Sequence, residues 1–94
     1  MTPTNDAGPI RIEFYGVPRL RAGRREVCVH AGSLGEAIVA LEHACPALSG
    51  CVITAGSLLP AYRFSLNGQT FVSNPLTRLA PGDSLVLVAA DAGG

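Results

Sequence analysis

Lysine is absent from this sequence; all seven basic residues are arginine. The chain therefore has no lysine amine of its own with which to form isopeptide bonds. Charge is scarce, at 15% of residues, and the seven acidic residues cancel the seven basic ones. A net charge of zero gives no electrostatic case for nucleic acid or an anionic membrane. No apolar run approaches the roughly 18 to 20 residues that span a bilayer. The first residues carry neither the basic region nor the apolar region of a secretory signal, so residues 1–8 are expected to be a mobile leader. Cysteine is limited to Cys28, Cys45 and Cys51, an odd number without Cys-x-x-Cys spacing. They read as small buried apolar residues in a reducing compartment, and a cytoplasmic location is expected. His30 and His43 have no second ligand at metal spacing, so no metal site is expected. Ser-His-Asp and Cys-His constellations and a phosphate-binding glycine loop are all missing. The chain is expected to bind no cofactor and to run no chemistry unaided.

What is present is a 94-residue chain with 48% apolar residues, enough for one compact domain with a modest core. Ile10, Ile12 and Phe14 alternate with Arg11, Glu13 and Tyr15, the period of a strand. Glycine and proline punctuation over residues 16–23 predicts a hairpin loop, carrying part of a cluster formed by Arg19, Arg21, Arg24 and Arg25. A solvated loop is the default for such a cluster, and a docking patch for an acidic partner is the alternative. Val27 and Val29 mark a second strand, antiparallel to the first. Ser33 and Glu36 fit a capping box, and Leu34, Ile38, Leu41 and Cys45 follow at helical spacing, with Gly35 as a blemish in the first turn. Pro46 stops the helix near Ala44 or Cys45. Residues 47–60 give no regular pattern.

Tyr62, Phe64 and Leu66 restore the strand period, and Asn67-Gly68 is a strong hairpin signal leading to a short strand ending at Val72. Pro81-Gly82-Asp83 marks a turn. The run Leu85-Val86-Leu87-Val88-Ala89 is continuously apolar, as in a central strand that is covered on both sides or paired on both edges. Strand, strand, helix, strand, short strand, strand predicts an α+β fold: a mixed sheet of four to five strands with one main helix on one face, and the last strand in the middle beside the first. That topology is the β-grasp. The expected core is Phe14, Ile38, Leu41, Phe64, Leu66, Leu85 and Leu87. The expected organisation is a leader over residues 1–8, a domain over residues 9–90 and a tail over residues 91–94.

The tail is the candidate site. Asp91-Ala92-Gly93-Gly94 follows directly on the best-defined strand. A terminal Gly-Gly has no Cβ and fits a narrow channel. Four extended residues reach roughly 13 Å. Leu58-Leu59, Leu66-Asn67-Gly68, Asn74-Pro75-Leu76, Leu79-Ala80-Pro81-Gly82-Asp83 and Gly93-Gly94, taken in that order, resemble the MoaD/ThiS sulfur carriers, relatives of ubiquitin. The resemblance covers residues 10–94, and the length and Pro75-Leu76 lie closer to MoaD, the small subunit of molybdopterin synthase, than to ThiS. Val88-Ala89-Ala90 and Asp91 depart from the aromatic, proline-containing entry usual in MoaD.

The resemblance implies that the Gly94 carboxylate is adenylated by a MoeB/ThiF-type adenylyltransferase, which holds ATP and Mg²⁺. A sulfur donor then converts it to a thiocarboxylate. Asp91, Ala92 and Gly93 become the segment gripped by partners. The acceptor is the large subunit of molybdopterin synthase or another sulfur-accepting enzyme. A carrier for thiamine, cysteine or a thio-containing natural product, and a ubiquitin-like interaction module that is never activated, stay open. The sheet face opposite the helix, next to the last strand, is the expected docking surface and is expected to be apolar.

Overall fold

The alternating segments form strands where an apolar face can be buried, and a computed structural model describes residues 7–90. The elements are β1 (Gly8–Phe14), α1 (Val17–Ala22), β2 (Glu26–Ala31), α2 (Leu34–Ala44), a 3₁₀ turn (Pro46–Leu48), β3 (Ile53–Thr54), β4 (Ser57–Leu58), β5 (Tyr62–Leu66), β6 (Thr70–Val72) and β7 (Ser84–Ala89). Five strands make one sheet in the order β2-β1-β7-β5-β6, and β3 and β4 form a separate small hairpin. β7 runs parallel to β1, with Ile12 opposite Leu85 and Phe14 opposite Leu87. It runs antiparallel to β5, with Phe64 opposite Leu87. The last strand is thus central, and the fold is the mixed five-stranded sheet with one main helix that the sequence predicts.

One face of the sheet and one face of α2 supply the core. Ile10, Ile12, Phe14, Phe64, Leu85 and Leu87 are buried together with Leu34, Ala37, Ile38 and Leu41 of the helix. Along β7 the buried Leu85 and Leu87 alternate with half-buried Val86 and Val88. The continuous apolar run therefore reflects pairing on both edges, not cover on both faces. Six of the seven expected core residues are buried; Leu66 is half-buried and packs against the rim of the cluster.

The helix cap forms largely as the sequence implies. The Ser33 hydroxyl accepts from the Glu36 N–H at 3.2 Å, while the Glu36 carboxylate reaches one residue further back, to the Gly32 N–H at 2.8 Å. Two first-turn amides find partners in a distant loop: the Leu34 N–H donates to the Thr77 carbonyl and the Gly35 N–H to the Pro75 carbonyl, both at 2.9 Å. A Cβ on Gly35 would stand 3.2 Å from Pro75. The glycine that weakens the helix signal is what lets that loop close on the helix start.

Four expectations need correction. Residues 17–22 are a short helix, not a hairpin loop. Pro18 sits in its first turn and Gly23 closes it in the left-handed region, φ 72°, with its N–H on the Arg19 carbonyl. Proline at the start and glycine past the end bracket a helix as readily as they punctuate a loop. Gly8 belongs to β1, opposite Ala31, and not to a leader. A Cβ there would fall 2.5 Å from the Pro81 ring, so the strand needs glycine to pass that turn. Of the cysteines only Cys45 is buried; Cys28 and Cys51 are exposed. Finally, residues 47–60 are not wholly irregular, since they hold the end of the 3₁₀ turn and the β3–β4 hairpin.

Candidate functional site

Gly94, Gly93, Ala92 and Asp91 lie outside the described residues. What the structure describes is the ground from which they leave. Ala90 still donates its N–H to the Ala61 carbonyl at 2.6 Å, extending the β5–β7 ladder one residue past the strand. β7 is held on both edges, so the tail departs from the middle of the sheet and not from a frayed margin. Because β1 and β7 are parallel, the end of β1 lies at the same end of the sheet, and the Tyr15 N–H donates to the Leu87 carbonyl at 3.2 Å.

The start of β7 is fixed by the motifs that carry the family resemblance. Asn67 and Gly68 both adopt positive φ, 53° and 69°, as the tight turn requires. The Asn67 side chain then bridges to the other turn: its Nδ2 donates to Asp83 Oδ1 at 3.1 Å and its Oδ1 accepts from the Ser84 N–H at 2.9 Å. Asp83 Oδ2 accepts from the Ala80 N–H at 2.8 Å. Asn67-Gly68 and Pro81-Gly82-Asp83 are therefore one clamp that sets the register of the strand leading to the tail.

The sheet face opposite α2 is mixed. Register places Val86 between Glu13 and Ser65, and Val88 beside Arg63. Phe71 on β6, opposite Ser65, is 60% exposed, and the Arg63 guanidinium lies 5.7 Å from its ring centroid. Tyr15 is 52% exposed. Tyr15, Val88 and Val86 thus form an apolar patch leading to the root of the tail, with Phe71 further out across Ser65. The β1–β2 side of the face is polar, with Arg11, Glu13, Glu26, Cys28 and His30, which corrects the expectation of a generally apolar face. The sequence singles out none of the patch residues; once the strand register is known, their alternation does.

A groove of about 560 Å³ between α2 and the β5–β6 edge is lined by Leu34, Ile38, Tyr62, Phe64 and Phe71 among others, with Arg63 its one charged side chain. His30 and His43 are exposed, and no group of metal-ligating side chains occurs among the described residues. Burial raises the Cys45 thiol above its ordinary pKa, an effect the charge of Arg24 partly opposes, so this thiol is not a poised nucleophile. Among the described residues no helix is long and apolar enough to cross a membrane.

No protein-family model matches the chain, and no curated protein does. Solved structures do. The chain is similar to SAMP1 from Haloferax volcanii, with a TM-score of 0.79 and 28% identity over 93% of this chain and all of that one. The small archaeal modifier protein 1 from Methanosarcina acetivorans gives the same TM-score of 0.79 over 96% of this chain at 17% identity. A chain of the BexX/CysO complex from Amycolatopsis orientalis gives 0.70 over 90% of this chain at 18% identity. Fold, strand order and these likenesses agree with the motifs of the sequence: the chain has the ubiquitin-like β-grasp fold, and its neighbours among solved structures are carriers and modifiers of the MoaD/ThiS type.

Proposed function

We propose that the chain is a sulfur carrier whose C-terminal carboxylate, on Gly94, is the working group, and that it serves molybdopterin synthesis. The observation that supports this reading is the anchoring of Ala90 at the end of the central strand, after which the sequence runs Asp91-Ala92-Gly93-Gly94. A carboxylate is a poor acyl donor, because its charge repels nucleophiles. A MoeB/ThiF-type enzyme joins it to AMP from ATP, with Mg²⁺ neutralising the phosphates and pyrophosphate leaving. The mixed anhydride has a good leaving group. A sulfur nucleophile at the oxidation level of sulfide attacks the acyl carbon, the C–O bond to AMP breaks, and Gly94 ends as a thiocarboxylate. Nucleotide, metal and catalytic side chains belong to the partner; the large subunit of molybdopterin synthase is the proposed acceptor.

The test is ATP-dependent adenylation of chains with an altered end. Deleting Gly94, or adding one residue after it, abolishes activation while the melting temperature holds, since the last strand's buried core residues are Leu85 and Leu87. Normal adenylation of either variant would overturn the reading. A second reading, a protein modifier, draws on the likeness to the two small archaeal modifier proteins. Mass spectrometry separates the two after activation: a carrier exchanges oxygen for sulfur at Gly94, whereas a modifier becomes joined through Gly94 to an amine of another protein.

A further inference from the structure

Four of the seven arginines, Arg19, Arg21, Arg24 and Arg25, fall within seven residues, and all four are exposed. They stand on an ordered element. The Leu20 N–H donates to the Gly16 carbonyl at 3.1 Å and the Gly23 N–H to the Arg19 carbonyl at 3.0 Å, and Pro18 is buried beneath them. Among them are exposed apolar side chains: Leu20 at 80%, Tyr15 at 52% and Val17 at 45%. α1 follows the end of β1 and lies beside β7. The patch therefore sits at the end of the sheet from which the tail leaves.

We propose that this patch docks against an acidic protein surface that rims the channel receiving the tail on the activating partner. The inference rests on the proposed carrier function in identifying that partner. Geometry makes the contact hard to avoid. Four residues beyond Ala90 reach roughly 13 Å, so an enzyme that draws Gly94 into an enclosed site must press its rim against this end of the sheet. The chemistry of the patch selects the partner. Guanidinium forks match carboxylates in bidentate pairs. Exposed Leu20, Val17 and Tyr15 within an arginine rim have the composition of a protein interface. A phosphate backbone is a poorer match, because it offers nothing apolar to meet the exposed Leu20 and Val17 that stand among the arginines.

The test uses the Arg19→Glu/Arg21→Glu double variant, with Arg19→Lys/Arg21→Lys beside it and thermal melting as the check on folding. AMP formation is followed with the MoeB/ThiF-type enzyme of the same organism across a range of salt. The charge reversal lowers kcat/KM by roughly tenfold or more at low salt, the gap closes as salt rises, and kcat holds; the lysine variant, which keeps the charge and loses the fork, falls only a fewfold and keeps the wild-type salt slope. A reversed variant with wild-type kcat/KM and salt slope overturns the inference while the carrier function stands. A wild-type chain that is not activated at all overturns the carrier function instead. In that event an amide NMR titration with a glutamate-rich decapeptide carrying one leucine decides the patch by itself. Shifts confined to residues 15–25 support acidic-protein docking. No shifts, or shifts with an oligonucleotide only, overturn it.

Discussion

Phe64 is fully buried on β5, opposite Leu87 on one side and Val72 on the other. Truncating it removes an aromatic ring that neighbouring strands cannot collapse to replace. Phe64→Ala is expected to lose about 3 to 5 kcal/mol, read as a lowered midpoint in denaturant. Against a total of about 5 to 15 kcal/mol for a domain, that loss is severe. An unchanged midpoint would remove Phe64 from the core. Gly8 poses the opposite test, of addition instead of deletion. Its missing Cβ leaves room for the Pro81 ring, and the Gly82 N–H donates to the Pro9 carbonyl at 2.8 Å beside it. Gly8→Ala is expected to destabilise by about 1 to 3 kcal/mol, the range for overpacking. A residue in a mobile leader would show no change, so the same melting curve separates the two placements.

At the scale of elements, the start of α2 is held both by its own sequence and by a distant loop. Its cap combines Ser33, Glu36 and two carbonyls of the 75–77 loop. Ser33→Ala removes one acceptor and is expected to lose about 1 kcal/mol, measured by thermal unfolding. A larger loss would mean that the 75–77 loop detaches with the cap. The capping box, the helix stop and the Asn67-Gly68 turn are legible in the sequence because each depends on residues within four positions of one another. α1 and the β3–β4 hairpin are not. The turn between β3 and β4 places Ala55 at φ 53° beside Gly56 at φ 76°. Alanine in the left-handed region runs against local preference, so the surrounding packing, including buried Val52 and Ile53, imposes that turn. α1 is hidden for another reason: six residues bracketed by proline and glycine carry the same marks as a loop.

For the whole molecule, recognition must come from the folded body, since Ala92-Gly93-Gly94 offers almost no side chain. Threading a free tail costs roughly 1 to 2 kcal/mol per residue in conformational entropy, which docking elsewhere has to offset. The apolar side chains of Tyr15, Val88 and Val86 near the tail root, with Phe71 beyond them, are the proposed surface for this. A peptide spanning residues 86–94 is therefore expected to be adenylated far less efficiently than the intact protein. Val86→Asp is expected to weaken binding to the activating enzyme with the fold retained. Equal activation of peptide and protein would refute recognition by the body. The tail itself, Asp91 to Gly94, is the part of the site read from sequence alone. That surface is the part that only the strand register reveals, because Tyr15, Val86 and Phe71 lie on three different strands or strand ends and share no sequence pattern.

The sequence by itself determines what short-range physics can encode: the strand period, the helix and its cap, the Asn67-Gly68 turn, the apolar last strand and the Gly-Gly end. Tertiary structure alone decides which of these meet. Glycine at positions 8 and 35 answers to Pro81 and Pro75, more than thirty residues away along the chain. Asn67 holds Asp83 across two turns. Tyr15 joins Val88 only because β1 and β7 lie side by side in parallel. Periodicity records which face of a segment is apolar. It carries no information on which segment will cover that face, because the hydrophobic effect is non-directional and the choice of partner rests on register, turns and close approach.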